Sequence, residues 1–464
     1  MDPQFDVFDN QDIDVSTETI FNYDSYPSEP YETNASNIRF SLKAQADYWI
    51  KWGSIKLHTE ARITTQDPGS SVWKNLDVDD RVIFANNSIH SAFRDIKVEL
   101  NKNAVDGGNG LYPLLAYVNN TLQYGVTSKT THMLTQGFHT PTDLMQATFN
   151  KGADHSKISY KEELVEWTKE EHETNKTLIE ETKTSKWVTF ESPLKIPLFN
   201  QGKHLPPGFQ IDLEFFRSDP RFSLVVFNRK TSGSKFRIEF RNMKLVVPYV
   251  RARRSLLTQI ERQRQQGKEI LYQYNDLDCK RHTIPANTPS WRFPNPFQGR
   301  QPKLALAAFV PITQFLTEEK RPLVFSNQNL KTVELEVGGR KIGGRELNCQ
   351  DITEAYSRFN EALNLFDSNE DCGIDINQFK KYTFFAAFDC TSNDHPEDLQ
   401  TATRMEYDIE VKFASIVSHA VDMYLFFTFD NKVVLKNDNH VLSGDQIQPE
   451  QEFIAPAIKR RRYG

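Results

Sequence analysis

The 464-residue sequence is poor in cysteine, and its cysteines are not spaced to bind zinc. Cys279, Cys349, Cys372 and Cys390 all lie in the second half, and no two of them form a C-x-x-C pair. Zinc sites usually show such pairs, so the sequence predicts no metal or other cofactor from its cysteines. Free thiols in a reducing compartment are the simplest interpretation.

Long apolar stretches are also missing. The sequence contains no apolar run of about 18 residues, the length at which a membrane-spanning helix becomes a candidate. The N-terminal MDPQFDVFDN is acidic and lacks the apolar segment of a signal peptide. We therefore expect neither a membrane span nor a signal peptide.

The chain lacks the strongly basic balance of a general nucleic-acid binder. Its formal net charge is −6 and its pI is about 6.1, so any contact with nucleic acid must come from a local patch. One candidate patch is the run of four cations Lys459, Arg460, Arg461 and Arg462. Such a run is typical of a nuclear import signal or a nucleic-acid contact, with a solubilising tail as the alternative.

Cations are absent from residues 1–38, which are acidic and carry spaced aromatic residues. A disordered acidic tail is one interpretation of this composition. The aromatics favour another, an arm that docks on a neighbouring subunit, because buried aromatic side chains are typical anchors of interfaces. The candidate anchors are Phe5, Phe8, Phe21 and Tyr23.

Phenylalanine is abundant, with 33 residues against 6 methionines, and suits packed sheets. Ile38, Phe40 and Leu42 alternate with polar residues, which is the period of a half-buried strand. Many short strands separated by turn residues predict β-sandwiches. Further strands are predicted at 55–58, 95–100, 187–190, 209–216, 222–227, 236–247, 270–274, 303–310, 332–337, 383–388, 407–413 and 423–429.

Four segments interrupt the strands. Residues 111–124 have the apolar spacing of an amphipathic helix. The segments 151–186 and 349–382 are polar and helical in pattern, and we expect exposed insertions that project from one end of the molecule. Residues 250–268 read as a basic linker helix with a narrow apolar stripe, so the chain divides there into two halves with the same layout.

Motifs that would indicate catalysis or ion binding are absent or incomplete. The segment 367–378 resembles a calcium loop, but Cys372 replaces the required glycine and Gln378 replaces the required glutamate. The glycines of 338–345 predict a hairpin turn and do not match a phosphate-binding loop. The sequence holds no H-E-x-x-H or G-x-S-x-G motif, so it predicts no catalytic residue and no cofactor.

Six segments of the chain follow one another in an order that is characteristic. They are NNSIHSAFRDIKVEL (86–100), GLYPLLAYVNNTLQYG (110–125), LPPGFQIDLEFFR (205–217), 238–254 closing on VRARR, PNPFQGRQPKLALAAFV (294–310) and LEVGG (335–339). Their order resembles the double jelly-roll major capsid proteins of Maverick/Polinton elements and adintovirus-like double-stranded DNA viruses, especially their nematode-type relatives. The similarity covers about residues 37–440, and each segment alone is a weak match.

The resemblance implies an all-β fold, two tandem jelly-roll β-sandwiches with helical insertions in loops. It also implies a non-enzymatic protein that assembles as pseudo-hexagonal homotrimers into an icosahedral shell around double-stranded DNA. Penton or minor capsid proteins and packaged DNA are the implied partners, and the virion is the implied location, with assembly in the host cell and the nucleus as one option.

Two functional alternatives stay open. One is a β-sandwich carbohydrate-binding or carbohydrate-active protein, with a concave face of aromatics and paired carboxylates, and the other is a host-domesticated capsid gene.

The predicted domains follow from the layout of strands and insertions. Their bounds are 1–36 for an acidic aromatic N-terminal arm, 37–249 for the first jelly roll (insertion 151–186), 250–268 for the basic linker helix, 269–438 for the second jelly roll (insertion 349–382) and 439–464 for a C-terminal tail with a basic end.

Overall fold

The structure is a computed structural model, and it describes most of the chain between residues 20 and 443. For residues 20–27, 169–174, 251, 254–256, 315 and 443 it describes the backbone alone. The described residues are 20–27, 36–43, 48–106, 108–140, 169–200, 202–251, 254–300, 302–315, 318–319, 321–337, 339–366, 371–391, 406–436 and 441–443.

Strands dominate the described residues, and eight helices lie in the connections between them. The strands are β1 Ile20–Pro27, β2 Asn37–Lys43, β3 Tyr48–Ile50, β4 Lys56–Gln66, β5 Lys74–Asn75, β6 Arg81–Phe84, β7 Phe93–Leu100, β8 Asn103–Asp106, β9 Val188–Pro193, β10 Gln210–Arg217, β11 Leu224–Asn228, β12 Lys235–Arg251, β13 Ile270–Ile284, β14 Ser290–Pro294, β15 Leu304–Pro311, β16 Leu330–Val337, β17 Arg340–Lys341, β18 Leu347–Asn348, β19 Ala386–Asp389, β20 Tyr407–Phe413, β21 Val421–Leu435 and β22 Val441–Ser443. The helices are α1 Ser88–Ser91, α2 Tyr112–Gln123, α3 Val126–Lys129, α4 Lys169–Thr182, α5 Pro220–Ser223, α6 Arg254–Gln265, α7 Ile352–Ala362 and α8 Ile376–Lys381.

The first half folds into a sandwich of two antiparallel sheets, called sandwich 1. Its eight main strands, lettered B to I in chain order, are β1, β2, β4, β7, β8, β9, β10 and β12. One sheet has the order B-I-D-G and the other has the order C-H-E-F. Each sheet therefore pairs strands from the beginning of the sandwich with strands from its end, as in a jelly roll.

The second half, called sandwich 2, repeats this topology. Strands B to I are here β13, β14, β15, β16, the pair β17 and β18, β19, β20 and β21. The sheets again have the orders B-I-D-G and C-H-E-F. The predicted all-β architecture of two tandem jelly rolls with helical insertions is confirmed.

Antiparallel pairing places alternate connections at the same end of each sandwich. In sandwich 2, Pro311 at the end of strand D and Ile284 at the end of strand B both pair with Val421 at the start of strand I. In sandwich 1, Gln66 at the end of strand D pairs with Lys235 at the start of strand I. The connections B–C, D–E, F–G and H–I therefore share one end of each sandwich, called the loop end.

Local sequence explains why these elements form. In β2, Ile38, Phe40 and Leu42 are buried while the residues between them are exposed or half-buried, as the alternation predicted. Helix α7 begins after Asp351, whose side chain accepts hydrogen bonds from the backbone N–H groups of residues 353 and 354. The hairpin predicted at 338–345 is confirmed by the pairing of Val337 with Arg340.

The two apolar cores interlock across the boundary between the sandwiches. Leu114, Tyr117 and Val118 of α2, which follows strand F of sandwich 1, belong to the core of sandwich 2. In exchange, Ile270 and Tyr272 of β13, the first strand of sandwich 2, belong to the core of sandwich 1. The two sandwiches therefore bury apolar surface against each other.

The structure corrects the predicted domain bounds at both ends. Residues 1–36 were predicted to be an arm, but Ile20–Pro27 is strand B of sandwich 1 and pairs with β12 over its whole length. The second jelly roll was predicted to end at 438, but Val441–Ser443 adds a strand to β21. The backbone of β1 gains hydrogen-bond partners more than 200 positions away, whereas β22 folds back on the end of the preceding strand.

The insertions at 151–186 and 349–382 both fall in F–G connections, and residues 151–168 and 367–370 lie outside the described residues. The described parts of both insertions are not fully exposed. In the first, Thr182 at the end of α4 donates a hydrogen bond to the carbonyl of Val82 at 2.6 Å. In the second, Phe359 and Phe379 are completely buried. The polar residues of these segments predicted solvent exposure. The prediction was incomplete because the apolar face of each helix packs against the rest of the protein.

A helix lies within the segment 250–268. Helix α6 spans Arg254–Gln265, with Ile260 buried and Leu257 half-buried. Strand β12 continues to Arg251 and β13 starts at Ile270, so the helix directly joins the last strand of sandwich 1 to the first strand of sandwich 2.

Candidate functional site

A buried serine and histidine are the nearest approach to a catalytic pair in the described residues. His90 Nε2 lies 2.8 Å from Ser192 Oγ, and His90 Nδ1 lies 2.7 Å from the Tyr112 hydroxyl. Ser192 also donates a hydrogen bond to Gln136 Oε1 at 2.5 Å. Burial lowers the pKa of His90 to about 3, so the ring is neutral at physiological pH. His90 is 2% exposed and Ser192 1%, so the network joins α1, α2 and β9 and is closed to a substrate.

Four aspartates line a cavity of about 230 Å³ between the two sandwiches. Asp95 and Asp106 come from β7 and β8 of sandwich 1, and Asp276 and Asp278 come from β13 of sandwich 2. Lys195 contributes a cation to the same lining. Within the part of the chain that the structure describes, no three acidic, histidine or cysteine side chains are arranged to hold a metal ion.

Three carboxylates of this cavity have a raised pKa. Burial raises the pKa of Asp106 to about 6, and the charges of Asp276, Asp95 and Asp278 raise it further, against one hydrogen bond from the backbone N–H of Gly108. Burial also raises the pKa of Asp95 and of Asp276. Ionisation of these carboxylates therefore opposes the contact between the sandwiches.

We expect Asp106→Asn to stabilise the protein more at pH 8 than at pH 5, because the free-energy cost of ionising Asp106 grows between pH 3.8 and about pH 6. The pKa of Asp106 is about 6 in the fold and 3.8 in its ordinary state, so its contribution to stability is complete below pH 3.8 and is lost as pH rises through 6. Asparagine stays neutral, and we expect a gain of about 1–2 kcal/mol at pH 8 after allowing for solvent screening. Thermal unfolding of both proteins at each pH measures this gain in stability.

Asp79→Asn is the matched control, because Asp79 is exposed on sandwich 1 and lies outside the cavity. Its effect should be small and equal at the two pH values. An Asp106→Asn gain of the same size at pH 5 and pH 8 would contradict the assignment of a raised pKa to Asp106.

An open cleft of about 790 Å³ lies between α7 and β19. Its lining includes Arg345, Glu354, Arg358, Glu361 and Asp389. A Glu354 oxygen lies 3.1 Å from Arg345 Nη2 and 3.8 Å from Arg358 Nε, so these charges neutralise one another. This pairing is typical of an ion-pair cluster that fixes a loop, and it differs from two carboxylates poised for acid–base catalysis.

The aromatic residues on the outer face of the B-I-D-G sheet of sandwich 1 bear on the carbohydrate alternative. The guanidinium groups of Arg62 and Arg241 lie 4.6 Å and 4.2 Å from the centre of the Trp187 ring. Arg237 lies 4.0 Å from the centre of the Trp73 ring. These cation–π contacts occupy ring faces that a sugar would need, so this face does not favour sugar binding.

One part of the boundary between the sandwiches is aromatic. Tyr272 of sandwich 2 meets Trp52 of sandwich 1 edge-to-face, with ring centres 4.7 Å apart, and Trp52 stacks on Phe199 at 6.0 Å. The Tyr272 hydroxyl donates a hydrogen bond to the His204 carbonyl at 2.8 Å. Tyr272 is completely buried, so it anchors the second sandwich in the core of the first.

The boundary between the sandwiches has a second part at the loop end, where the D–E connection of sandwich 2 meets the H–I connection of sandwich 1. The backbone N–H of Val226 donates to the carbonyl of Glu318 at 2.7 Å. Arg229 forms an ion pair with the Glu318 carboxylate at 2.7 Å, and Arg321 lies 5.6 Å from the centre of the Phe227 ring. We call these residues the loop-end contact.

The two F–G connections also touch each other. Lys129, 2% exposed, donates hydrogen bonds from Nζ to the carbonyls of Thr121 in sandwich 1 and Cys372 in sandwich 2. Burial lowers the pKa of Lys129 to about 8, and the nearby Cys372 and Asp371 raise it. A buried cation with backbone partners on both sides fixes the relative position of the two connections.

The predicted site residues are placed only in part. Phe21 and Tyr23 lie in β1, where their backbones pair with Val250 and Pro248, so they belong to sandwich 1 and not to a free arm. The cations at 459–462, together with Phe5 and Phe8, lie outside the described residues. Sequence reasoning missed the contacts between the sandwiches, for which the helical period of 111–124 was the one usable signal.

Comparison with known proteins identifies related folds at low sequence identity. No family model matches the sequence, and no curated protein matches it. The 3.5 Å cryo-EM structure of the Sputnik virophage aligns with a TM-score of 0.60 and 12% identity, covering 100% of this chain and 96% of that one.

Two further solved structures support the same fold. The Faustovirus major capsid protein aligns with a TM-score of 0.57 and 11% identity, covering 91% of this chain and 92% of its own. A chain of the PBCV-1 virus capsid model aligns with a TM-score of 0.55 and 11% identity, covering 94% of this chain and 98% of that one. The similarity spans both sandwiches, and it establishes the tandem jelly-roll fold independently of the strand order.

Proposed function

We propose that this chain is a major capsid protein that assembles as pseudo-hexagonal homotrimers into an icosahedral shell around double-stranded DNA. One observation carries the proposal: two sandwiches of identical strand order lie side by side in one chain. Three such chains supply six nearly equivalent units, which can close into a ring. The proteins with similar folds are capsid or virion structures by their own descriptions.

The interlocked cores support this proposal physically. A tile that must fit many neighbours needs a fixed angle between its two halves. Tyr272 in the core of sandwich 1 and Tyr117 in the core of sandwich 2 each resist rotation of one half against the other. Among the described residues, no helix is long and apolar enough to cross a membrane.

The finer parts of the proposal extend to partners and location. We propose that the cations at 459–462 bind packaged DNA, a neighbouring subunit or the import machinery, and that Phe5 and Phe8 dock on an adjacent subunit. Penton or minor capsid proteins complete the shell in the virion, with assembly in the host cell. A structural and non-enzymatic role and a Maverick/Polinton origin, active or domesticated, belong to the same proposal.

The test is the oligomeric state and shape of the purified full-length chain. Light scattering after size-exclusion chromatography should give about three times the chain mass of 53.7 kDa, and negative-stain images should show hexagonal particles. A stable monomer at micromolar concentration in low salt would contradict the proposal. A monomer whose melting temperature rises with added oligosaccharide would favour the carbohydrate-binding alternative.

A further inference from the structure

The large apolar side chains that the described residues leave exposed all lie in connections at the loop end. This distribution is uneven, because single exposed apolar residues are normally scattered over a surface. The D–E and F–G connections of sandwich 1 and the F–G and H–I connections of sandwich 2 carry them. They are Val72, Val78, Val126, Leu134, Phe366, Ile376 and Ile416.

The loop-end contact shows how one sandwich meets the next at this end. Within the chain, the H–I connection of sandwich 1 meets the D–E connection of sandwich 2 through Val226, Arg229 and Glu318. In a ring of six similar units, contacts within a chain alternate with contacts between chains. The H–I connection of sandwich 2 then meets the D–E connection of sandwich 1 in the next copy.

Three of the seven exposed apolar residues fall on these two connections. The H–I connection of sandwich 2, residues 414–420, exposes 63% of Ile416. The D–E connection of sandwich 1 begins after Gln66 and exposes 68% of Val72 and 62% of Val78. The proposed ring symmetry and the observed distribution of apolar surface are independent of each other, and both point to this pair of loops.

We propose that Ile416 packs against Val72 and Val78 of a second copy of the chain, and that this contact closes the trimer. The inference rests on the proposed function, because it uses the ring of six sandwiches. It goes beyond that function by identifying the residues of one interface between subunits.

Both loops are held in fixed positions before any partner binds. In sandwich 2, the carbonyl of Val417 accepts a hydrogen bond from the backbone N–H of Asn287 at 2.9 Å, and the N–H of Ala414 donates to the carbonyl of Asn329 at 2.9 Å. In sandwich 1, Lys230 forms an ion pair with Asp77 at 2.6 Å, beside Val78. Fixed loops lose little conformational entropy on binding.

The contact between chains should differ in chemistry from the contact within the chain. The contact within the chain contains the ion pair of Arg229 with Glu318. The segment 414–420, ASIVSHA, contains no Asp, Glu, Lys or Arg. No ion pair of this kind can therefore hold this segment against the D–E connection, and raising the salt concentration should not dissociate the trimer, because salt screens charges and strengthens apolar burial.

The first experiment is Ile416→Asp in the full-length chain, analysed by light scattering over a range of concentrations. We expect the midpoint concentration for trimer formation to rise by at least about tenfold, because a charge replaces a buried side chain at each of the interfaces. The melting temperature of the monomer should stay unchanged, since Ile416 is exposed within the chain.

Gln298→Asp is the matched control, because it adds the same charge at an exposed position in the C–D connection of sandwich 2, at the end opposite the loop end. The backbone at Gln298 has a φ of 56°, which aspartate tolerates. This variant should form trimers like the unmodified chain.

The second experiment uses Val78→Cys and Ile416→Cys in separately purified chains. The four native cysteines are buried free thiols, so background cross-linking should be low. After the two variants are mixed and oxidised, a disulfide between the introduced cysteines can form only between chains. We expect a covalent dimer on non-reducing gels, and neither variant oxidised alone should give it in comparable yield.

The outcomes separate the inference from the proposed function. If the unmodified chain is a monomer, both fail together. If the unmodified chain is a trimer but Ile416→Asp forms trimers as readily and the mixed cysteine variants do not cross-link, the proposed contact is wrong while the capsid role stands. Equal weakening of the trimer by Gln298→Asp would also overturn the contact.

Discussion

A chain that begins at residue 36 is expected to lose its soluble folded state, whereas a chain that begins at residue 20 is expected to keep it. The difference between the two deletions is strand β1, whose eight residues pair with β12 from Ile20 opposite Arg251 to Pro27 opposite Lys244. Without β1, one edge of the B-I-D-G sheet of sandwich 1 exposes unpaired backbone groups along much of β12.

The size of this effect follows from the hydrogen bonds that are lost. An eight-residue antiparallel pairing contributes about eight backbone hydrogen bonds, each worth a net of about 0.5–1.5 kcal/mol. The sum approaches the total stability of a typical domain, which is about 5–15 kcal/mol. The exposed edge of β12 is in addition a template for aggregation.

Expression of the two truncated chains, followed by thermal unfolding of the soluble fraction, measures the difference. The chain that begins at residue 20 serves as the control, because it lacks no residue that the structure describes. Equal solubility and equal melting temperatures for the two chains would show that β1 belongs to an arm, as the composition of residues 1–36 suggested.

Tyr272→Ala is expected to destabilise the protein by about 3–5 kcal/mol, the range for removing a large buried aromatic side chain. The substitution leaves a cavity beside Trp52, whose ring centre lies 4.7 Å from that of Tyr272. Tyr272→Phe keeps the ring and removes only the hydrogen bond to the His204 carbonyl, which should cost about 1–3 kcal/mol.

Denaturant unfolding monitored by tryptophan fluorescence measures both variants, and limited proteolysis shows where the fold opens. Because Tyr272 lies between the sandwiches, we expect Tyr272→Ala to make α6 and its flanks, residues 252–269, more susceptible to cleavage. If alanine costs no more than phenylalanine at this position, the ring does not anchor one sandwich to the other.

The sequence predicts the strands whose burial alternates and fails where pairing is nonlocal. The alternation of Ile38, Phe40 and Leu42 is a local signal, and it located β2 correctly. The acidic and aromatic segment Ile20–Pro27 carries no such signal, because its hydrogen bonds are made with β12, more than 200 positions away. Its composition therefore suggested a tail.

The candidate sites show the same limit. Asp106 and Asp276 share a cavity although 170 positions separate them, and Glu318 contacts Val226 across the boundary between the sandwiches. Neither pair has a spacing that a sequence pattern could reveal. The argument against a calcium loop at 367–378 is of a different kind, because ligand positions in such loops are local and follow a fixed spacing that the sequence itself displays.

The position of α2 in the core of sandwich 2 has a consequence for synthesis on the ribosome. Leu114, Tyr117 and Val118 are made long before β13, β15 and β21 exist to cover them. A nascent chain that contains only sandwich 1 therefore exposes an apolar helix face, which a chaperone can bind and which can cause aggregation. Complete burial waits until β21 has left the exit tunnel, so newly made subunits become competent for assembly only near the end of translation.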